Sequence, residues 1–350
     1  VLQVMMFNSK SVHSMPYLRT IWNNSVLLHP PGFYIIGFQT LPFISIYFIF
    51  LAFVYAVTVI FNCLVIYIIV FNNALHTPKF LAVVNLAIID LILNTCIIPS
   101  MIKIFLAKDN FIPFNLCLVQ MHTYFTFGSL ESCALAILAY DRLVAICFPM
   151  QQNSVNSLKS MSCILAITWS ITIGVNTFAV GIMTWLSFCR SLSIFSYFCD
   201  YSPVYRLSCN DYSVHFYTAS IFTVLVLVIP FLFILMTYIS ILITVLNMKS
   251  VDRRIKALST CVEHVILVAI FYLPVFIIYI YGLYFGGIDP DQRVLCLSMA
   301  SCVPPCLNPI VYSLKTKEIK VRFKAIVRKQ KIWATGASDF WRQVACKLSV

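Results

Sequence analysis

The fold class that this sequence predicts is an all-α membrane protein, a seven-transmembrane helix bundle with a short amphipathic C-terminal helix. Three observations carry the prediction. The chain has 350 residues, of which 61% are hydrophobic and only 10% charged, whereas a soluble globular domain is about 25% charged. Continuous apolar runs recur along it, each of roughly the 20 residues that a helix needs to cross a bilayer core. Lys and Arg gather in alternate connections between those runs. A soluble protein with an unusually apolar core is the weaker alternative. An outer-membrane barrel would show alternating rather than continuous apolar segments. The formal net charge is +12. In a soluble protein that would point to nucleic acid; here its placement matters more than its total, and no nucleic-acid partner is expected.

Residues 1–42 are polar to mixed and are expected to form an extracellular N-terminus. Within them Asn23-Asn24-Ser25 is an N-glycosylation sequon, with Asn23 the acceptor. The chain begins at Val1, so the start is expected at Met6 or Met15, or further residues precede it. No cleavable leader is evident, and the first span is expected to act as an uncleaved anchor. Seven spans fall at 43–70, 80–106, 116–146, 161–186, 215–248, 259–285 and 294–314, together a membrane domain over 43–314. The first, fourth, fifth and seventh contain no Asp, Glu, Lys or Arg. With the N-terminus outside, 17 Lys and Arg lie inside against 7 outside, which is the orientation that positive charge selects. The tail, 315–350, is then cytoplasmic. From Lys315 to Lys331 it alternates Ile319, Phe323, Ile326 and Val327 with Lys320, Arg322, Lys324 and Arg328. That pattern fits an amphipathic helix lying on anionic membrane lipid; a disordered basic tail is the alternative.

Ionisable residues inside spans are costly and mark function by default. Asp90 lies about ten residues into span two, and Glu131 ten residues before Asp141 at the inner end of span three. At 1.5 Å per residue both sit roughly 15 Å deep. Asn62 and Asn308 fall at similar or slightly shallower depths. Two carboxylates and two amides at one level form a candidate site for a small hard cation, Na⁺ above all, because oxygen ligands suit hard ions. The alternative is a protonated, hydrogen-bonded cluster that serves packing alone. No other cofactor is expected. Prolines interrupt several spans, at Pro99, Pro230, Pro274, Pro304-Pro305 and Pro309. Each frees a backbone carbonyl and can kink its helix.

Four sets of residues then resemble a known family. Span two opens Leu75-His76-Thr77-Pro78-Lys79-Phe80, similar to LHxPMY. Span three ends Leu138-Ala139-Tyr140-Asp141-Arg142-Leu143-Val144-Ala145-Ile146-Cys147, similar to MAYDRYVAIC. Span six opens Lys256-Ala257-Leu258-Ser259-Thr260-Cys261-Val262-Glu263-His264, similar to KAxSTCxxH, and span seven ends Pro304-Pro305-Cys306-Leu307-Asn308-Pro309-Ile310-Val311-Tyr312-Ser313, similar to PPxLNPIIYS. In this order and spacing they resemble the olfactory receptors, which are rhodopsin-like class A G-protein-coupled receptors. His29-Pro30-Pro31-Gly32-Phe33 looks more like a fish-type member than a mammalian one. Leu143, Lys79, Phe80 and Thr237 depart from the usual residues.

The resemblance implies a plasma-membrane receptor that binds a small-molecule odorant in the outer half of the bundle. It also implies activation of a heterotrimeric G protein, of the stimulatory kind that raises cAMP. Candidate ligand residues are Tyr124, Phe125 and Gly128 on span three and Tyr272, Phe276 and Tyr279 on span six, the last three sharing one helical face. An aromatic stripe is more often core or lipid-facing than ligand-binding. Asp141, Arg142 and Lys256 are candidates for G-protein coupling, with Arg142 held by the adjacent Asp141 at rest. Arg253 and Arg254 read as ordinary inner-face charge. Four cysteines face an oxidising compartment, Cys117, Cys189, Cys199 and Cys209. They suggest two disulfides, for which three pairings exist; the resemblance implies Cys117–Cys199 and Cys189–Cys209. Sister classes fail on single positions. An aminergic receptor needs an acid where Tyr124 stands, and an opsin needs a lysine where Cys302 stands. No inverted repeat points to a transporter, and no nucleophile triad or HExxH motif points to an enzyme.

Overall fold

The computed structural model describes residues 29–38, 44–189, 191–284, 290–315 and 319–323. Seven spans form the bundle. They begin with α1 (Ile44–Val70), α2 (Pro78–Leu106) and α3 (Phe114–Cys147). A short α4 (Gln152–Val155) precedes the fourth span, α5 (Leu158–Met183), and a short α6 (Tyr201–Tyr205) lies in the long loop after it. The fifth span is α7 (Ser213–Thr223), a π-helical turn at Val224–Val228 and α8 (Ile229–Leu246). The sixth is α9 (Val251–Tyr284), and the seventh is α10 (Pro290–Cys302) followed by α11 (Pro304–Lys315). Five spans are each long and apolar enough to cross a bilayer, and α9 is a sixth when its two arms count as one bent helix. The third, α3, dilutes its hydropathy with Glu131, Asp141 and Arg142, but its 34 residues reach roughly 50 Å at helical rise.

Local chemistry sets the ends and breaks. Pro78 opens α2, where a missing N–H costs nothing and φ is already helical. Ser157 caps α5, its Oγ accepting from the Ser160 amide at 3.1 Å. Arg254 donates to the carbonyls of Leu246 and Met248, at 3.2 and 3.0 Å, and so closes the end of α8. Two proline breaks are repaired from neighbouring helices. Pro230 has no N–H for the Val226 carbonyl four residues back, and Ser132 of α3 donates its hydroxyl there at 2.6 Å. Pro309 likewise offers nothing to the Pro305 carbonyl, which accepts from Asn62 Nδ2 of α1 at 3.1 Å. Between α10 and α11 the Cys302 carbonyl accepts from Asn94 Nδ2 of α2 at 3.1 Å.

The face of the bundle that bears the N-terminus carries a feature absent from the expected all-α fold. β1 (Gly32–Ile35) pairs antiparallel with β2 (Phe111–Pro113) and parallel with β3 (Ser193–Ile194), giving the order β2-β1-β3. Phe33 and Ile35 are buried and Tyr34 is exposed, the two-residue alternation of a half-buried strand. A Cβ on Gly32 would collide with the Ile112 carbonyl and the Phe111 ring, so only glycine fits the pairing. Part of the segment expected as a polar N-terminus is therefore built into the structure. Four residues are too few to give a hydropathy signal, which is why the strand escaped detection.

Beyond α11, 319–323 is helical; Ile319 is buried, Phe323 packs beside it against the core, and Lys320 and Arg322 are exposed. The rest of the expected amphipathic stretch after Phe323, and the sequon at Asn23, lie outside the described residues.

Candidate functional site

Tyr124, Gly128 and Glu131 stand at intervals of four and three along α3, so they share the face turned into the bundle, and Ser132, four residues on from Gly128, borders it. The N-terminal end of that face is roofed by the loop after α5. Disulfides join Cys117 to Cys199 and Cys189 to Cys209. Gln120 fixes the roof further: its Oε1 accepts from the Cys199 amide at 3.1 Å, and its Nε2 donates to Ser100 Oγ at 2.9 Å. Tyr197 and Phe198 of the roof are both 2% exposed. The Tyr124 hydroxyl lies 2.9 Å from the Tyr197 hydroxyl and 2.9 Å from Ser301 Oγ of α10, and the last two are 3.0 Å apart. The Phe198 ring centroid is 3.9 Å from that of Tyr124, and Phe125 packs beside both. Burial pushes the Asp200 carboxyl above its ordinary value, while Arg293 and Arg206 pull it the other way.

One turn below Tyr124, a Cβ on Gly128 would meet no heavy atom within 4 Å beyond its own helix. There is thus room for a larger group on this face of α3. Deeper still, Tyr272 of α9 is buried and its hydroxyl lies 2.7 Å from Ser132 Oγ. Phe276 stacks on Tyr272, and Phe231 packs against both. Tyr279 belongs to α9, but its side chain lies outside the described residues.

At mid-bundle, Asn308 Nδ2 donates to both oxygens of Asp90, at 3.0 and 3.1 Å. Glu131 faces the same amide. All three are buried, as is Asn62, which sits alongside on the Pro305 carbonyl. Asn94 extends the cluster toward Thr58 Oγ1 at 3.0 Å. Several buried oxygens of this layer have no hydrogen-bond partner, namely Glu131 Oε1, Asn62 Oδ1 and Asn94 Oδ1. Among the described residues no three His, Cys, Asp or Glu side chains converge in a metal-binding group.

At the opposite face the structure corrects one expectation. No ion pair joins Asp141 to Arg142. Successive helical residues point about 100° apart and do not face each other. Asp141 is buried and accepts instead from Asn156 Nδ2 at 2.8 Å. Arg142 turns toward α8 and α9, where its charge is felt by Tyr238 and His264. The Tyr238 hydroxyl lies 2.7 Å from His264 Nδ1. Lys256 is exposed near the start of α9.

Sequence reasoning missed Tyr197, Ser301, Ser132, Asn94 and Asn156. Asn94 carried a signal, since it lies one turn from Asp90 on the same helical face. Tyr197 and Asn156 meet their partners only through tertiary structure.

A seven-helix membrane bundle, roofed at one end by a disulfide-pinned loop, has the architecture of a multi-pass membrane protein. The chain belongs to the olfactory receptor family. A family model described as "Olfactory receptor" matches residues 51–330. Similar proteins include olfactory receptor 1L4 of Homo sapiens, 36% identical over 299 residues that cover 84% of this chain and 94% of that protein. Olfactory receptor 5P80 of Mus musculus is 36% identical over 81% of this chain and 91% of its own length. Olfactory receptor 1496 of Rattus norvegicus is 31% identical over 78% and 87%. The family is one of G-protein-coupled receptors and not of enzymes.

Proposed function

We propose that the chain is an odorant receptor of the plasma membrane with its N-terminus outside. On this reading it binds a small molecule in the outer half of the bundle and activates a stimulatory heterotrimeric G protein. The observation that carries the reading is the open space at Gly128, on the inward face of α3 between Tyr124 and Ser132 and below the pinned roof. Phe125, Tyr272 and Phe276 are the candidate aromatic partners of a ligand there, and the sequence adds Tyr279 as a further candidate. Tyr272 reaches through Ser132 to the Val226 carbonyl, so a ligand pressing on it biases the fifth and sixth spans together. A ligand that binds the G-protein-competent arrangement more tightly shifts the population toward it. Asp141, Arg142 and Lys256 form the coupling face, and His29–Phe33 supports a fish-type receptor of dissolved odorants. In cells expressing the chain, an odorant panel is expected to raise cAMP above mock-transfected cells. Gly128→Leu fills the space, so its responses fall about tenfold or more in potency at equal surface expression. Uptake of ligand without cAMP rejects the reading in favour of a transporter.

We further propose that Asp90 and Glu131 hold Na⁺, with Asn62 and Asn308 beside them. The unpartnered Glu131 Oε1 and Asn62 Oδ1 fit an oxygen-ligated ion, and two acids without a third suit a monovalent charge. The bound ion would neutralise the two carboxylates and tie α2 to α3. Agonist potency is expected to depend on Na⁺ concentration in the parent and to lose that dependence in Asp90→Asn. A Na⁺ effect that survives the substitution refutes the site.

A further inference from the structure

We propose that the hydroxyl cluster of Tyr124, Tyr197 and Ser301 is the polar subsite of the pocket and accepts hydrogen bonds from a donor head group, a primary amine above all, held by hydroxyl lone pairs and not by the acid that an aminergic receptor carries at the position of Tyr124. The inference rests on the odorant-receptor reading and names the ligand chemistry of that same site.

Three hydroxyls hold three protons and six acceptor lone pairs. Their mutual contacts at 2.9, 2.9 and 3.0 Å, together with Ser301 Oγ to the Leu297 carbonyl at 3.0 Å, make four places for those protons. Every proton is thus committed inside the protein, and at least three lone pairs are left over. A guest that offers a proton joins the cluster without breaking a bond. A guest that offers only lone pairs must displace one first.

The surroundings act in the same direction. Phe125 and Phe198 flank Tyr124, and aromatic faces attract cations. One helical turn down the same face, about 6 Å away, the open space at Gly128 takes an apolar tail. Tyr197 comes from the loop, whereas Tyr124 and Ser301 come from spans, so the cluster ties the roof to α3 and α10.

The test uses cells expressing the full chain, a cAMP readout and four probes of matched length: heptylamine, heptanol, methyl hexyl ether and heptanoate. Heptylamine is expected to be most potent and heptanol next. The ether should be about tenfold weaker or worse than the amine, and heptanoate inactive. Tyr124→Phe and Ser301→Ala each remove an acceptor. Each should shrink the amine-to-ether ratio toward one while surface expression, followed by an epitope tag, holds. An ether or heptanoate as potent as the amine on the parent chain overturns the inference, as does a ratio unchanged in both variants. Silence to all four probes in a chain that answers another odorant also overturns it and leaves the receptor reading standing. Silence to every odorant from receptor present at the surface overturns that reading as well.

Discussion

Asn62 illustrates how a single side chain decides the geometry of a whole span. Its amide nitrogen also donates to the Thr58 carbonyl of its own helix, at 3.0 Å. The same nitrogen reaches the Pro305 carbonyl, which Pro309 has left without a helical donor. A buried acceptor left without its donor costs about 1–3 kcal/mol. Asn62→Ala is therefore expected to lower stability by about that amount. The measurement is the apparent Tm of detergent-solubilised receptor; Asn62→Gln, with the same amide on a longer stem, should recover only part of the loss. An unchanged Tm in Asn62→Ala would show that the carbonyl is satisfied in another way. Ser132 does the corresponding work for the Val226 carbonyl, with the difference that its hydroxyl is shared with Tyr272. One repair is static; the other is linked to a residue of the proposed pocket.

The fifth span shows what an element needs besides hydropathy. Its run of apolar residues locates it to within two residues at either end, because lipid imposes length and composition on whatever crosses it. The division into α7, a π turn and α8 was not legible, apart from the warning given by Pro230. The Val226 carbonyl that Pro230 frees is met by Ser132 of α3, a partner supplied by tertiary structure. At the start of α7, Asp211 Oδ1 accepts from the Ser213 amide at 2.9 Å and from its hydroxyl. These bonds hold the exposed Asp211 carboxyl below its ordinary value. A depressed folded value means that the contribution is complete above the ordinary Asp range and disappears as pH falls through the lowered value. Acidification, or Asp211→Ala at neutral pH, should therefore fray the first turn of α7. Hydrogen exchange at Ser213 and Phe216 reads this directly; exchange that is equal at pH 7 and pH 3, after correction for intrinsic rates, contradicts it.

Across the whole molecule, the legible parts are those on which the bilayer or the helix repeat acts. Seven runs and their charge asymmetry followed from composition. Asp90 and Glu131, placed at one depth by helical rise, and Asn308, expected at a similar or slightly shallower one, do meet in space. The roof was legible only as four cysteines. Its sheet and the hydroxyl contacts of Tyr197 depend on segments 73 or more residues apart, which no local pattern encodes. That sheet is also the part most open to a global test. Gly32→Val puts a branched side chain into the Ile112 carbonyl and the Phe111 ring. It should unpair β1 from β2 and lower surface delivery and ligand response together, with the spans themselves intact by circular dichroism. A variant that matches the parent in both assays would show that the sheet is dispensable.

The pairing of β1 with β3 also sets an order of assembly. β1 emerges from the ribosome before any span, yet its parallel partner is Ser193–Ile194, which follows four complete spans. Until then the strand has no parallel neighbour and must wait in the open. Cys117 waits in the same way for Cys199. The roof is therefore completed late in biosynthesis, and a chain halted before Ile194 lacks it altogether. A closed roof thus records that at least four spans have been made and inserted, a state that a quality-control machinery could read from one side of the membrane.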